Sequence, residues 1–231
     1  QRMKPIKCAG GKPTMVNIDQ VNFTMDRKAD GSSIYIAQAP KFGPGATPPE
    51  EGGKGITFIA KGNSLSFGIG GTAESDSIGL GMSGKAAALN FHQDIAFDNP
   101  LKSEIDAFIY AKKFVNLLVR GGMGSDMILG TLTSDSPFDG PLTVPTSIYG
   151  EEGRDQIWGG YNRDYIDGGP GGDFLMGYAG ADQIVGGPGR DYIDGNGGRD
   201  EIDAIDRIPS EQVNCGPGKD LIRMDLQDED K

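Results

Sequence analysis

Aspartate recurs at every ninth residue, at Asp155, Asp164, Asp173, Asp182, Asp191 and Asp200. Each stands two positions ahead of a large aliphatic: Ile157, Ile166, Leu175, Ile184, Ile193 and Ile202. Each also closes a glycine-rich stretch. Glycine opens all six nonapeptides, and their fourth position is Gly153, Asn162, Gly171, Gly180, Gly189 or Gly198. A carboxylate supplies hard anionic oxygen, and a glycine turn can aim backbone carbonyls at the same point. An all-oxygen set of this kind suits a hard divalent cation. Ca2+ accepts roughly six to eight such ligands in flexible geometry, whereas Mg2+ demands a stricter octahedron. The chemistry offered by this spacing is Ca2+ binding, with the six aspartates and the six fourth-position residues as candidate metal ligands.

The six nonapeptides run without a gap over 150–203. Two outlying copies, GGMGSDMIL at 121–129 and CGPGKDLIR at 215–223, add Asp126 and Asp220 as candidate ligands, although neither has a neighbour in clear phase. One aliphatic flanked by polar residues describes a three-residue strand with a single inward side chain. GGxGxD describes the tight turn before it. Two nonapeptides complete one coil, so residues i and i+18 stack about 4.8 Å apart. One edge then carries Asp155, Asp173 and Asp191, and the other Asp164, Asp182 and Asp200. Bare carboxylates at that spacing repel by roughly 1 kcal/mol per pair in water, and a cation between turns reverses the sign. Arg154, Arg163, Arg190 and Arg199 directly precede their aspartates and are expected to screen the rows from outside. Gly and Asn at the fourth position are expected to supply positive φ.

The consensus GGxGxDxUx, with U a large aliphatic, resembles the RTX (haemolysin-type) calcium-binding family. The resemblance covers about a third of the chain. It implies a parallel β-roll that holds several Ca2+ ions between its turns. RTX repeats often follow catalytic domains in secreted proteases, lipases and alginate epimerases. No such domain is legible here: HExxH and GxSxG are missing, and His92 is the sole histidine. The stretch GLGMSGKA (79–86) imitates nucleotide-binding motifs, but it lacks a strand–turn–helix frame.

The charge is divided unevenly. Residues 1–149 hold 14 acids and 14 bases, and residues 150–231 hold 19 acids and 8 bases, which gives the whole net charge of -11. That balance excludes a basic nucleic-acid footprint, and no apolar run is long enough for a membrane helix. Upstream, apolar clusters centre near Phe58, Phe67, Ile78, Leu89, Phe97, Phe108, Leu117 and Ile128. Taken alternately they suggest coils of about 20 residues, with 58, 78, 97 and 117 on one side. Residues 99–122 have a helix-like entry at Asn99-Pro100, but Ile105/Ala107/Ile109 and Val115/Leu117/Val119 alternate as strands.

The expected fold is all-β: a right-handed parallel β-roll or β-solenoid with an irregular N-terminal cap over its open strand edges. Residues 1–52 are expected to form cap and loop, and 53–149 solenoid coils with a loop inserted at 130–149. Residues 150–231 are expected to form the Ca2+-binding roll with a C-terminal cap. Cys8 and Cys215 are an even pair. A folded-back N-terminal arm, buried thiols, or an end-to-end bond between molecules all remain open, since solenoid ends about 40 Å apart exceed the roughly 7 Å reach of a disulfide. Trp158, Phe174, Met176 and Tyr192 flank the first acid row on one outward face. The chain begins at Gln1 with no charged-then-apolar leader, as a mature secreted protein would. The function expected is that of a secreted, non-catalytic Ca2+-binding protein, structural or adhesive at the cell surface or in extracellular assemblies. Its folding is coupled to Ca2+, and homo-oligomers form by end-to-end association. The alternative is a polysaccharide-binding accessory module of a secreted enzyme system.

Overall fold

A computed structural model describes residues 20–24, 32–36, 56–61, 65–71, 73–93, 107–111, 114–131, 138–208, 211–225 and 229–230. No helix occurs among them, hence none long and apolar enough to cross a membrane. With strands numbered in chain order, the first sheet runs β1 (Gln20–Thr24), β3 (Ile56–Lys61), β7 (Ala107–Ala111), β6 (Ala86–Gln93), β5 (Asp76–Ser83) and β9 (Met127–Leu129). It continues through β11 (Gln156–Trp158), β13 (Phe174–Met176), β16 (Tyr192–Asp194), β19 (Gln212–Asn214) and β21 (Glu229–Asp230). The second sheet runs β2 (Ser32–Ile36), β4 (Leu65–Gly70), β8 (Phe114–Met123) and β10 (Thr146–Glu152), then β12 (Asp164–Asp167), β15 (Gln183–Val185), β18 (Glu201–Ala204) and β20 (Leu221–Met224). A two-residue ladder joins β14 (Ala179–Gly180) to β17 (Gly197–Gly198) on one turn edge.

Across the repeats every pairing is parallel, and the register advances by eighteen: Gln156↔Phe174↔Tyr192 in one sheet, Tyr165↔Gln183↔Glu201 in the other. The chain is therefore a parallel β-roll here. One aliphatic per strand points inward, and these stack into two columns. Ile78, Ile128, Ile157, Leu175, Ile193 and Val213 form the first; Ile69, Val119, Ile148, Ile166, Ile184 and Ile202 form the second. All are buried. The residues flanking each inward aliphatic are less buried, so across 150–203 this thin double column is the buried apolar core.

Upstream the strands form, but the coil order differs from expectation. Residues 107–111 and 114–123 are β7 and β8, so the alternating-strand reading of that stretch is the one adopted. The alternation of clusters fails, however. Phe58, Ile78, Leu89, Phe108 and Ile128 all lie on the first sheet, Phe67 and Leu117 on the second, and Phe97 outside the described residues. The cause is an antiparallel hairpin, β5–β6, which returns to its own sheet through Gly84-Lys85. Gly84 has φ 59°, the positive value that a two-residue hairpin needs at its first central position. GLGMSGKA is thus strand–turn–strand.

The inserted segment ends earlier than 149, because Thr146–Glu152 is already β10. Residues 138–145 of it are packed: Phe138 lies over Gly81, Gly140 bridges Met82, and Leu142 and Val144 join the core. Within 1–52, β1 and β2 extend the two sheets, pairing with β3 and β4. The cap expected ahead of them lies outside the described residues, as does Cys8; Cys215 packs half-buried against the core.

Candidate metal centre

Each strand of the roll is entered through a turn, and the turns stack along two edges. Three positions give the turn its shape. The second residue is left-handed in five of the six units: Glu151 (φ 72°), Gly169 (89°) and Gly187 (94°) on the first edge, Tyr178 (71°) and Asn196 (60°) on the second, Gly160 being the exception. The fourth position was expected to carry this conformation. Gly153, Gly189 and Gly198 do so with φ of 150–159°, whereas Asn162, Gly171 and Gly180 do not. Glycine is required at that position for space. A side chain on Gly153, Gly171, Gly189 or Gly198 would run into the carbonyl oxygen of Gly124, Gly153, Gly171 or Gly180, one coil earlier. On the second edge, a side chain on Gly180 would likewise meet the carbonyl oxygen of Asn162. The first position is equally close: a Cβ on Gly168 would lie 2.6 Å from both Asp173 Oδ2 and the Gly186 carbonyl oxygen. Carbonyl and carboxylate oxygens thus crowd together between successive turns, held there by the missing side chains.

The aspartates form the rows expected from the nine-residue spacing. On the first edge the Asp155 N–H donates to Asp173 Oδ1 and the Asp173 N–H to Asp191 Oδ1, both at 2.8 Å. On the second the Asp164 N–H donates to Asp182 Oδ1 at 2.8 Å and the Asp182 N–H to Asp200 Oδ1 at 2.9 Å. The two outlying copies join them. The Asp126 N–H donates to Asp155 Oδ1 at 2.8 Å, and the Asp200 N–H to Asp220 Oδ1 at 3.0 Å. Two acids that the sequence reading missed extend the first row: Asp76, whose N–H donates to Asp126 Oδ1 at 2.7 Å, and Glu211, in register with Asp191. Neither keeps the nine-residue phase. Asp76 is 50 residues from its neighbour, and the register across Glu211 advances by 20 rather than 18.

The second oxygens are different. Oδ2 of Asp126, Asp155, Asp173, Asp182, Asp191 and Asp200 is buried without any hydrogen-bond donor, in residues only 1–2 % exposed. Asp164 is the exception. Its Oδ1 accepts the Thr146 N–H at 3.1 Å and its Oδ2 the Gly160 N–H at 2.7 Å. Burial, ahead of every other cause, raises the carboxyls of Asp126, Asp173 and Asp182 to about 7 and those of Asp155, Asp164 and Asp191 to about 6. Repulsion between neighbouring acids adds to burial at Asp173 and Asp182 but ranks below it. Desolvation is therefore the main electrostatic strain in the rows, and mutual repulsion the lesser one. Arg154 and Arg163 oppose it at Asp173 and Asp182 respectively.

Among the described residues no three acidic, histidine or cysteine side chains converge on one point. A cation between turns would have to draw most of its ligands from carbonyls, with one or two carboxylates. Ca2+ tolerates that mixture. The orphaned Oδ2 atoms and the glycine cradles fit such an ion. On the outward face of the first sheet, Phe174 and Tyr192 stack with ring centroids 4.9 Å apart and planes 6° from parallel, and Trp158 tilts against Phe174 at 5.6 Å.

The family model described as RTX calcium-binding nonapeptide repeat (4 copies) matches residues 146–175 and again 176–204. No curated protein and no solved structure matches the chain. The span 146–204 of this chain consists of RTX calcium-binding nonapeptide repeats, a repeat type that binds several Ca2+ ions per array.

Proposed function

We propose that the protein is a secreted, non-catalytic β-roll whose folding is coupled to Ca2+ and whose role is structural or adhesive. The observation that carries this reading is the row of buried Oδ2 atoms without donors. Asp155, Asp173 and Asp191 on one edge, and Asp182 and Asp200 on the other, would hold the ions together with the carbonyls of Gly153, Gly171, Asn162, Gly180 and Gly198. Asp164 stands at the end of its row with both oxygens already met by N–H groups, so it contributes least. A bound Ca2+ supplies the positive charge that these desolvated carboxylates lack. RTX repeat proteins are typically secreted. Affinity in the range of extracellular modules, about 10⁻⁴ to 10⁻³ M, would leave the sites empty inside a cell and filled outside. Calorimetric titration of the full chain should show Ca2+ binding in that range and no comparable response to Mg2+. Equal binding of the two ions would remove the basis for the proposal.

The adhesive role predicts Ca2+-dependent assembly, read by light scattering. A polysaccharide partner finds less support in the aromatic face. Phe174 and Tyr192 spend their ring faces on each other, whereas sugar stacking needs a face turned outward. Retained glycan binding in wild type that is lost in Trp158→Ala would favour that alternative instead.

A further inference from the structure

Between β18 and β19 the chain is longer than a coil requires. Tyr192 pairs with Gln212, an advance of 20, where Phe174 pairs with Tyr192, an advance of 18. The excess forms an outward loop at 205–208. Ile205 is 54 % exposed and Ile208 45 %, and Arg207 between them is exposed with φ 71°, an unfavourable value for a long side chain. In the repeat turns a backbone N–H donates to a carbonyl of the next coil, as Gly153 does to Pro170 and Gly171 to Pro188. Around this loop carboxylates replace those carbonyls. The Gly189 N–H donates to Asp206 Oδ2 at 2.8 Å. The Ile205 N–H donates to Asp203 Oδ1 at 3.3 Å, the Asp206 and Arg207 N–H groups to Asp225 Oδ2 at 3.2 and 2.6 Å, and the Ile208 N–H to Asp206 Oδ1 at 2.6 Å. Side chains hold the loop at the surface, so it can be drawn out without parting a strand ladder.

This sets Arg207 apart from the other described arginines. A peptidase must reach the backbone on both sides of the bond it cuts, so the burial and bonding of that backbone decide where it acts. Arg154, Arg163, Arg190 and Arg199 have exposed side chains, but the residue after each is a row aspartate only 1–2 % exposed. The N–H groups of Asp155, Asp164 and Asp200 are also tied to the next coil. Arg120 precedes the buried Gly121, and Arg223 lies in β20, paired with Glu201 and Asp203. Only after Arg207 does an exposed residue follow.

We propose that the Arg207–Ile208 bond is a processing site for an endopeptidase that cuts after arginine, and that the cut leaves a two-chain roll. Hydrolysis adds the oxygen of water to the Arg207 carbonyl carbon and releases the Ile208 nitrogen as an amine. The proton lost by the new carboxyl group ionises that amine, which is largely an ammonium group at neutral pH. The same nitrogen already lies 2.6 Å from Asp206 Oδ1, on the other side of the cut. The hydrogen bond there becomes an ion pair that joins the two chains. Pairing of Gln212 with Tyr192 and of Leu221 with Glu201 holds the shorter chain along its length.

Limited digestion of the full chain in Ca2+ with an arginine-specific endopeptidase, followed by N-terminal sequencing, tests the site. The first cut within residues 138–231 should expose Ile208, and Arg207→Gln should abolish it. Earlier or equal cutting after any other arginine of that span, or none after Arg207, would overturn the site. Size-exclusion chromatography in Ca2+ should then carry 208–231 with the longer chain; separation of the two would overturn the two-chain form. Acetylation of the cut protein should modify the Ile208 amine several-fold more slowly than in the isolated 208–231 peptide, and Asp206→Asn should remove most of that protection while the cut remains. Equal labelling of the cut wild type and the free peptide would overturn the ion pair.

Discussion

At Asp173 the two carboxylate oxygens meet different surroundings. Oδ1 accepts the Asp155 N–H at 2.8 Å, while Oδ2 is buried with no donor. Leaving a charged acceptor in that state costs on the order of 1–3 kcal/mol or more, and a Ca2+ ion removes the cost. Asp164 has no such vacancy in its bonding, so Asp173→Asn should raise the half-saturating Ca2+ concentration by about tenfold and Asp164→Asn by much less, roughly 1.4 kcal/mol against a few tenths. A calcium titration followed by circular dichroism would compare them; equal effects would contradict the division of roles. The same burial fixes a pH dependence. The carboxyls of Asp126, Asp173 and Asp182 rise from 3.8 to about 7 on folding, so the folded metal-free chain binds protons more tightly than the unfolded one. Its stability from this source is full below about pH 4 and falls as pH rises toward 7. In EGTA the β signal should be larger at pH 4.5 than at pH 7.5, and the opposite order would refute the linkage.

Each element is one short strand fed by one tight turn, and adjacent glycines in a turn have unequal tasks. Gly171 has no room for a side chain because the Gly153 carbonyl oxygen occupies the place of its Cβ, whereas at Gly172 the nearest atom is the Arg190 carbonyl oxygen at 3.3 Å. Gly171→Ala should therefore destabilise the Ca2+-loaded roll by about 3 kcal/mol or more, in the range of overpacked sites, and Gly172→Ala by under about 1 kcal/mol. Thermal unfolding in saturating Ca2+ would separate them. The turn spacing, the inward aliphatics and both acid rows were legible from residues 150–203 because one local unit repeats in strict phase. The left-handed residue was not. Its second-position occupants Glu151 and Tyr178 give no compositional hint, while the conspicuous glycine two residues on serves close approach and, at Gly153, Gly189 and Gly198, also takes a positive φ. Asp76 and Glu211 were missed for a related reason: their partners are set by sheet register across 50 and 20 residues, beyond any local period.

At the scale of the molecule, one thin apolar column lines each sheet across the repeats, and the net charge of -11 arises entirely in residues 150–231, which hold them. The β5–β6 hairpin hid from the sequence because its apolar residues are spaced much like those of successive coils; only Gly84 marks the reversal, and many turns here contain glycine. On the proposed reading, carboxylates whose Oδ2 is buried without a donor keep the roll from closing at neutral pH until Ca2+ neutralises them. Far-ultraviolet circular dichroism of the full chain at pH 7.5, first in EGTA and then with Ca2+ in excess, decides the matter. A marked gain of β signal on adding Ca2+, reversed by further EGTA, is the expected result. A β signal already complete in EGTA and unchanged by the ion would contradict it.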